Sequence, residues 1–356
     1  GHMPGTVKSE LLSDADRSHK CDSQEKVCWI RQLSLDKSHF ITGKSMDKKI
    51  LTLGNPIIKY NQDFAFLTSA MHSDMSFYNW LLSNAIQVYY VPKNSGCNLT
   101  LFYLGIEPNP INNIPLFDHQ IVKMDFLKKS SMTLIEFTEL MIKEDYYVTN
   151  TLDEYYIETR LSYQKEHFDH GILIYGFDSQ SGQIFTAGYD NSSHFQCSTI
   201  SYETYDLSFR NTTRNSRISC FKRNGKHYEV DRELIKQLLY DFVNSYNTSL
   251  HYRALQNPLS NYFWGMNAFR QIVNSDDIRN FSMLYEYILF MAERANYFGL
   301  NDLGERLKKL SKKAGIIINL TIKSKIKKDF PTSRTPILEE LLISLEELLF
   351  EFYDKL

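Results

Sequence analysis

His167-Phe-Asp-His170-Gly-Ile-Leu-Ile-Tyr-Gly-Phe-Asp178-Ser-Gln-Ser-Gly-Gln183-Ile-Phe-Thr-Ala-Gly-Tyr-Asp190 is the stretch whose reading decides the fold. Gly171 to Asp178 is a continuous apolar run of strand length. Ser179 to Gln183 is a hairpin-type turn, and Gln183 to Asp190 is the return strand. Hairpin pairing brings the two ends of such a block side by side. His170, entering one strand, and Asp190, leaving the next, are therefore expected as neighbours at one sheet edge. An imidazole with a carboxylate on its other ring nitrogen is the arrangement of a general base. The same spacing equally suits a surface His and a turn Asp in an ordinary hairpin.

Working outward, residues 46 to 225 read as mixed α and β. Ser76 to Val88 carries apolar residues at helical spacing, with Ser76 a possible N-cap just after Asp74. Thr133 to Lys143 is a second amphipathic helix, and Tyr146 to Leu152 a short strand. From about residue 228 the pattern turns helical, over 229–245, 262–273, 279–298, 302–325 and 336–355. Residues 4 to 45 are charged and polar with few periodic apolar positions. The expected organisation is an N-terminal extension or arm (1–45), an α+β domain (46–225) and a helical domain (226–356). Gly1-His2-Met3 reads as the scar of a cleaved tag, and Met46 as a natural chain start.

The 356 residues hold 40 Lys and Arg against 42 Asp and Glu, a net charge of −2. So balanced a chain lacks the positive field of a nucleic-acid coat or a polybasic membrane binder, and no nucleic-acid or membrane partner is expected. The apolar stretches fall short of the roughly 20 residues a membrane span needs. Five scattered cysteines, with no CxxC, argue for a reducing, cytoplasmic setting without a disulfide framework. His167, Asp169 and His170 do not have zinc-ligand spacing, and no metal is expected. The absence of GxxxxGK[ST], GxGxxG and HExxH leaves nucleotide hydrolysis, Rossmann chemistry and zincin proteolysis unsupported. The Lys-rich run 308–328 reads as a solvated helix face. Alternatively it is a docking patch for an acidic carrier, or it is neutralised by the glutamates of 339–351.

Asp153-Glu-Tyr-Tyr, the His167–Asp178 run, Ala187-Gly-Tyr-Asp190 and Ile200-Ser-Tyr-Glu203 together resemble the butirosin-biosynthesis acyltransferase family. These are papain-like cysteine proteins of natural-product clusters, including papain-like transacylases of closthioamide-type assembly. Tyr262-Phe-Trp-Gly265 through Arg294 is similar to the helical region that often follows that domain. The resemblance covers about residues 46 to 300. It implies a papain-like fold and a Cys–His–Asp triad, with His170 as base and Asp190 as its orienter. It implies acyl transfer from a thioester on an acyl or peptidyl carrier protein, through an acyl-enzyme, to a small amine. No cofactor is then needed beyond the carrier's own phosphopantetheine.

The family's Cys should open a helix, whose N-terminus lowers the thiol pKa. The helix beginning at Asp74-Met-Ser76 has none, and Ser76 is its nearest hydroxyl. Of the cysteines present, Cys28 is the most suggestive nucleophile, with Ser76, Cys97 or no nucleophile at all as the alternatives. Cys28-Trp29 starts a helix-like run, and Gln24 precedes it in the order Gln, then Cys-Trp, common in papain-like enzymes. Cys97 follows Gly96 in a turn-like segment, while Cys197 and Cys220 come after the His strand, in the wrong chain order. Ser76 and Asp153 are the substrate-binding candidates; Asp153 and Glu154 either line the cleft or end a strand. The competing readings are a catalytically degenerate papain-like scaffold that binds a carrier protein, and a cysteine peptidase in which water resolves the acyl-enzyme.

Overall fold

The computed structural model describes residues 46–92, 98–102, 114–213, 217–251, 261–328 and 334–356. In chain order the elements begin with β1 (Lys48–Ile50), α1 (Gln62–Ala70), α2 (Met75–Asn84), β2 (Gln87–Tyr90) and β3 (Leu99–Phe102). Next come β4 (Phe117–Lys123), α3 (Met124–Ser130), α4 (Leu134–Lys143), β5 (Tyr147–Asp153), β6 (Asp169–Asp178), β7 (Gln183–Tyr189), β8 (Phe195–Ser201), α5 (Tyr202–Arg210) and β9 (Arg217–Arg223). The remainder is α6 (Arg232–Val243), β10 (Phe263–Trp264), α7 (Gly265–Arg270), α8 (Ile278–Tyr297), α9 (Asn301–Lys327) and α10 (Arg334–Lys355). The chain is thus mixed α and β, sheet-rich first and helical afterwards.

The main sheet has the strand order β4-β9-β5-β6-β7-β8, entirely antiparallel, with β1 pairing the far end of β6. The hairpin of residues 171–190 lies near its middle. Both faces of β6 are covered, which explains its unbroken apolar run. Ile172, Ile174 and Phe177 pack with α4 and α5 side chains such as Phe137, Ile142 and Tyr205. Leu173, with Ala187 of β7, belongs to the core of Phe64 and Phe66 on α1 and of Phe77 and Leu81 on α2. Thr133 caps α4 through a full capping box with Glu136: its hydroxyl accepts the Glu136 N–H at 3.2 Å, and the Glu136 carboxylate accepts the Thr133 N–H at 2.8 Å.

Two helix expectations are corrected. Helix α2 stops at Asn84, and Gln87–Tyr90 forms strand β2 between β3 and β10. The apolar positions up to Val88 keep helical spacing, yet the run Ile86-Gln-Val-Tyr-Tyr90 is β-favouring and finds two strand partners. Its N-cap is Asp74, whose carboxylate accepts the Phe77 N–H at 2.7 Å, rather than Ser76. Residues 262–273 likewise split. Phe263 and Trp264 pair with Tyr90 and Tyr89, and α7 starts only at Gly265.

Gly265 has φ +53° and lies against α6, where a Cβ would sit 2.0 Å from the Phe242 carbonyl oxygen. Gly265→Ala is expected to cost at least about 1 kcal/mol from the left-handed backbone alone, with the clash added. Thermal unfolding of the variant checks this.

One apolar core runs from Ile58 on the N-terminal side through Leu81 and Leu239 to Phe352, so α6 to α10 share it with α1 and α2. Arg294 on α8 is fully buried inside it. It donates to the carbonyls of Leu82 (2.6 Å), Leu81 (3.1 Å) and Ala85 (2.5 Å) at the end of α2. Leu81 also accepts the Ala85 N–H at 3.0 Å, while Leu82 is one of the carbonyls a helix leaves orphaned at its C-terminus. Part of the Lys-rich face of α9 is paired with α10, by Lys313 with Glu340 at 2.6 Å and Arg306 with Glu351 at 2.7 Å. Among the described residues no helix is long and apolar enough to cross a membrane.

Candidate functional site

The β5–β6 pairing sets the site. Leu152 lies opposite His170 and Asp153 opposite Asp169, so Asp153 and Glu154, leaving β5, meet the histidines that enter β6. His170 Nδ1 donates to Glu154 Oε1 at 2.7 Å, and the Glu154 side chain is 7% exposed. A parallel pair stands beside it: His167 Nδ1 donates to Asp153 Oδ2, also at 2.7 Å. Asp153 is buried, and its Oδ1 accepts the backbone N–H groups of Tyr155 and Phe168, each at 3.1 Å. That carboxylate fixes the local chain, while His167 stacks on Tyr155 with ring centroids 4.4 Å apart and stays largely exposed.

His170 therefore has the carboxylate expected of it, but the partner is Glu154 and not Asp190. The reason is local. Asp190 Oδ1 accepts the N–H groups of Ser192 (2.8 Å) and His194 (2.9 Å) and so closes the turn after β7. Those bonds, that of His194 foremost, hold the Asp190 carboxyl below its usual range. With Nδ1 bound to Glu154, Nε2 of His170 has no hydrogen-bond partner among the described residues. A ring held in this tautomer presents a basic nitrogen.

The helix end beside this strand is that of α1. A Cβ on Gly171 would fall 2.1 Å from Gln62 Nε2 and 3.6 Å from Phe66, so the first turn of α1 lies directly on the start of β6. Asn61 caps that turn, accepting the Asp63 N–H at 2.8 Å. Asp63 keeps contact with solvent, but the protein packed around it raises its carboxyl, and the nearby His170 pulls it back down. Gln62 makes no side-chain hydrogen bond among the described residues, and its Oε1 is buried without a partner.

Beyond Glu154 lies Arg160, 3% exposed. It donates through Nη1 to the Tyr189 carbonyl, and its guanidinium lies flat on Gly188, where a Cβ would meet Nη1 and Nη2 at 2.6 Å. Burial lowers the Arg160 pKa, while Glu154 and Asp190 raise it. Arg160, Gly188 and Asp190 line a cavity of about 150 Å³ on the β7–β8 side.

No protein-family model and no curated protein matches this chain.

The other sequence candidates lie elsewhere or outside the described residues. Ser76 sits on α2, with its Oγ 3.1 Å from His227 Nδ1, and accepts the Tyr228 N–H at 3.3 Å. Cys28 and Cys97 lie outside the described residues. Of the described cysteines, Cys220 is buried on β9 and burial raises its thiol pKa steeply. Cys197 is exposed on β8, opposite Ala187, which is in turn opposite Leu173. That is two strands away from β6 and in line with Leu173 rather than His170. Among the described residues no three His, Cys, Asp or Glu side chains cluster so as to hold a metal.

Glu154 as the partner of His170, Gln62, Asp63 and Arg160 are the residues that sequence reasoning did not place. The signal for Glu154 was present. An acidic pair ends one strand and a His pair starts the next, which is the register of a hairpin with a long connection. For Arg160 no sequence signal existed, because its setting depends on a glycine 28 positions away.

Proposed function

We propose that the protein is a papain-like acyltransferase that moves an acyl group from a carrier-bound thioester to an amine, with His170 as general base. The observation that carries the reading is the 2.7 Å hydrogen bond between Glu154 and His170, which leaves Nε2 without a partner among the described residues, one position before the Gly171 on which the N-terminal turn of α1 packs. The resemblance calls for a helix opened by the nucleophilic Cys, and the helix turn that packs on the start of β6 is that of α1 rather than the one at Ser76.

In the reaction, the amine nitrogen attacks the thioester carbonyl and gives up a proton to Nε2 of His170. The carbonyl oxygen gains negative charge, and Gln62 Nε2 supplies a donor for it. The C–S bond then breaks, and the departing thiolate takes the proton back from the imidazolium. An amide and a free thiol result, and no ATP is consumed. A family-type acyl-enzyme passes through the same base, with the thiol proton of Cys28 as the first one moved. Among the described residues the first turn of α1 offers Asp63 and no thiol, which favours direct attack by the amine. The same observation supports the second reading, a scaffold that binds the carrier and does not react.

Intact-protein mass spectrometry with a panel of acyl-thioesters, and amide analysis with small amines, separate these readings. Direct transfer gives amide without a protein adduct, abolished in His170→Ala and retained in Cys28→Ala. An adduct lost in Cys28→Ala restores the acyl-enzyme route. Carrier binding with neither adduct nor amide leaves the scaffold.

Lys309, Lys312 and Lys323 on α9 carry no ion pair among the described residues, and they form the proposed contact for an acidic carrier. Reversing all three to Glu is expected to weaken carrier binding at least tenfold at low salt and far less at high salt. Titration calorimetry at two ionic strengths checks it.

A further inference from the structure

The cavity beside Arg160 is not used by the proton transfers described above. Its volume, about 150 Å³, is well above the ~10–15 Å³ that one water requires. Its walls hold a guanidinium and a carboxylate that attract each other without forming an ion pair. Arg160 is almost wholly buried, and its Nη2 has no hydrogen-bond partner among the described residues. A buried donor left without an acceptor is costly, so the arrangement is completed by something that brings one. Asp190 has the complementary surplus. Its Oδ1 is spent on the turn, and Oδ2 accepts nothing among the described residues.

The sign of the surroundings narrows the ligand. Asp190 lines the cavity with Arg160, and Glu154 is a second negative charge acting on the guanidinium, so a phosphate or a simple carboxylate would enter against two negative charges. A bare amine would satisfy Asp190 and leave Nη2 orphaned. A molecule carrying one carboxylate and one ammonium satisfies both walls and adds no net charge to a partly buried site. Gln196 and Ser198, across from Gly188 and Thr186 on β8, supply further polar lining.

We propose that this cavity is a subsite for a small α-amino acid, its carboxylate on Arg160 and its ammonium on Asp190. Glycine, alanine and serine are the smallest such molecules and serve as the probes. The amino acid as acceptor amine rests on the acyl-transfer reading; its binding does not. Glu154 connects the two places, being the partner of His170 and one of the charges that act on Arg160.

Isothermal titration of the full chain with glycine, L-alanine and L-serine tests this, with ethylamine, propionate and inorganic phosphate as single-charge probes. At least one of the three amino acids is expected to bind, and each single-charge probe to bind at least tenfold more weakly. Asp190→Asn, which keeps the shape, is expected to weaken amino-acid binding at least tenfold. Gly188→Ala, which displaces the guanidinium, is expected to do the same. Propionate or phosphate binding as tightly as the amino acids overturns the proposal, as does no binding by any of the three, or full binding by Asp190→Asn. Amide formation is measured on the same protein. Transfer to ethylamine as fast as to the preferred amino acid removes the acceptor role of the subsite and leaves the transferase. Amino-acid binding without any transfer leaves the subsite and removes the transferase.

Discussion

His170→Ala is expected to lower the rate of amide formation by about 10²- to 10⁴-fold, the usual worth of a positioned general base. Glu154→Gln is expected to lower it by about 10²-fold, because an amide cannot stabilise the imidazolium as a carboxylate does. The two losses are not additive: the double variant should be close to His170→Ala, since Glu154 acts only through the ring it holds at 2.7 Å. Asp190→Asn should leave the rate near that of the unaltered protein when a saturating simple amine is the acceptor, because its carboxylate is bonded to Ser192 and His194 and not to the ring. Rates with a saturating thioester and amine decide between the assignments. An Asp190→Asn loss as deep as that of Glu154→Gln would return the triad to the composition first expected from the sequence.

Arg294→Ala is expected to cost more than about 3 kcal/mol of stability. The Leu82 and Ala85 carbonyls lose their donor, Leu81 keeps only the Ala85 N–H, and a cavity opens where the guanidinium packs 4.5 Å from the centre of the Phe290 ring. Burial lowers the Arg294 pKa to about 9, which still leaves a cation at neutral pH. A folded-state pKa below that of the unfolded chain means that the charge is carried at a cost below pH 9. That cost is relieved as pH rises from about 9 toward the ordinary value, so the difference between the unaltered protein and Arg294→Ala should widen in that range. In a chain of 356 residues a loss of this size corresponds to roughly 4 °C or more in melting temperature. Arg294→Met as stable as the unaltered protein would mean that the hydrogen bonds only cancel the burial of the charge.

Local pattern made the hairpin of residues 171–190 and the long helices legible. The run Gly171-Ile-Leu-Ile-Tyr-Gly-Phe is apolar at every position because both faces of β6 are covered. Helices α8 and α9 showed their period over five turns or more, and their expected limits lie within two residues of those found. The errors came where distant partners decide. Val88 fits a helix until Phe263 and Trp264, some 170 residues later, add an edge to it as a strand. Asp190 fits a triad until the turn after β7 claims its oxygen. His170 was found because its chemistry is visible in one letter. Glu154 was harder to assign because fifteen residues of connection, 154–168, separate two strand ends that pair directly. The placement of the helix end at the site failed for a related reason. The first turn of α1 holds Gln62 and Asp63 rather than a thiol, so a search for a cysteine passes over it.

The bonds from Arg294 to α2 also have a consequence for synthesis. The acceptors are made first, and their donor follows 209 to 213 residues later. At ribosomal rates of about 5–20 residues per second, the end of α2 waits roughly 10 to 40 s for its guanidinium. Over that interval Leu81 and Leu82, which finish inside the core, have no finished core to enter. The nascent chain is then most open to chaperones and to proteases, and a stop codon anywhere before α8 would leave the end of α2 without the helix that covers it.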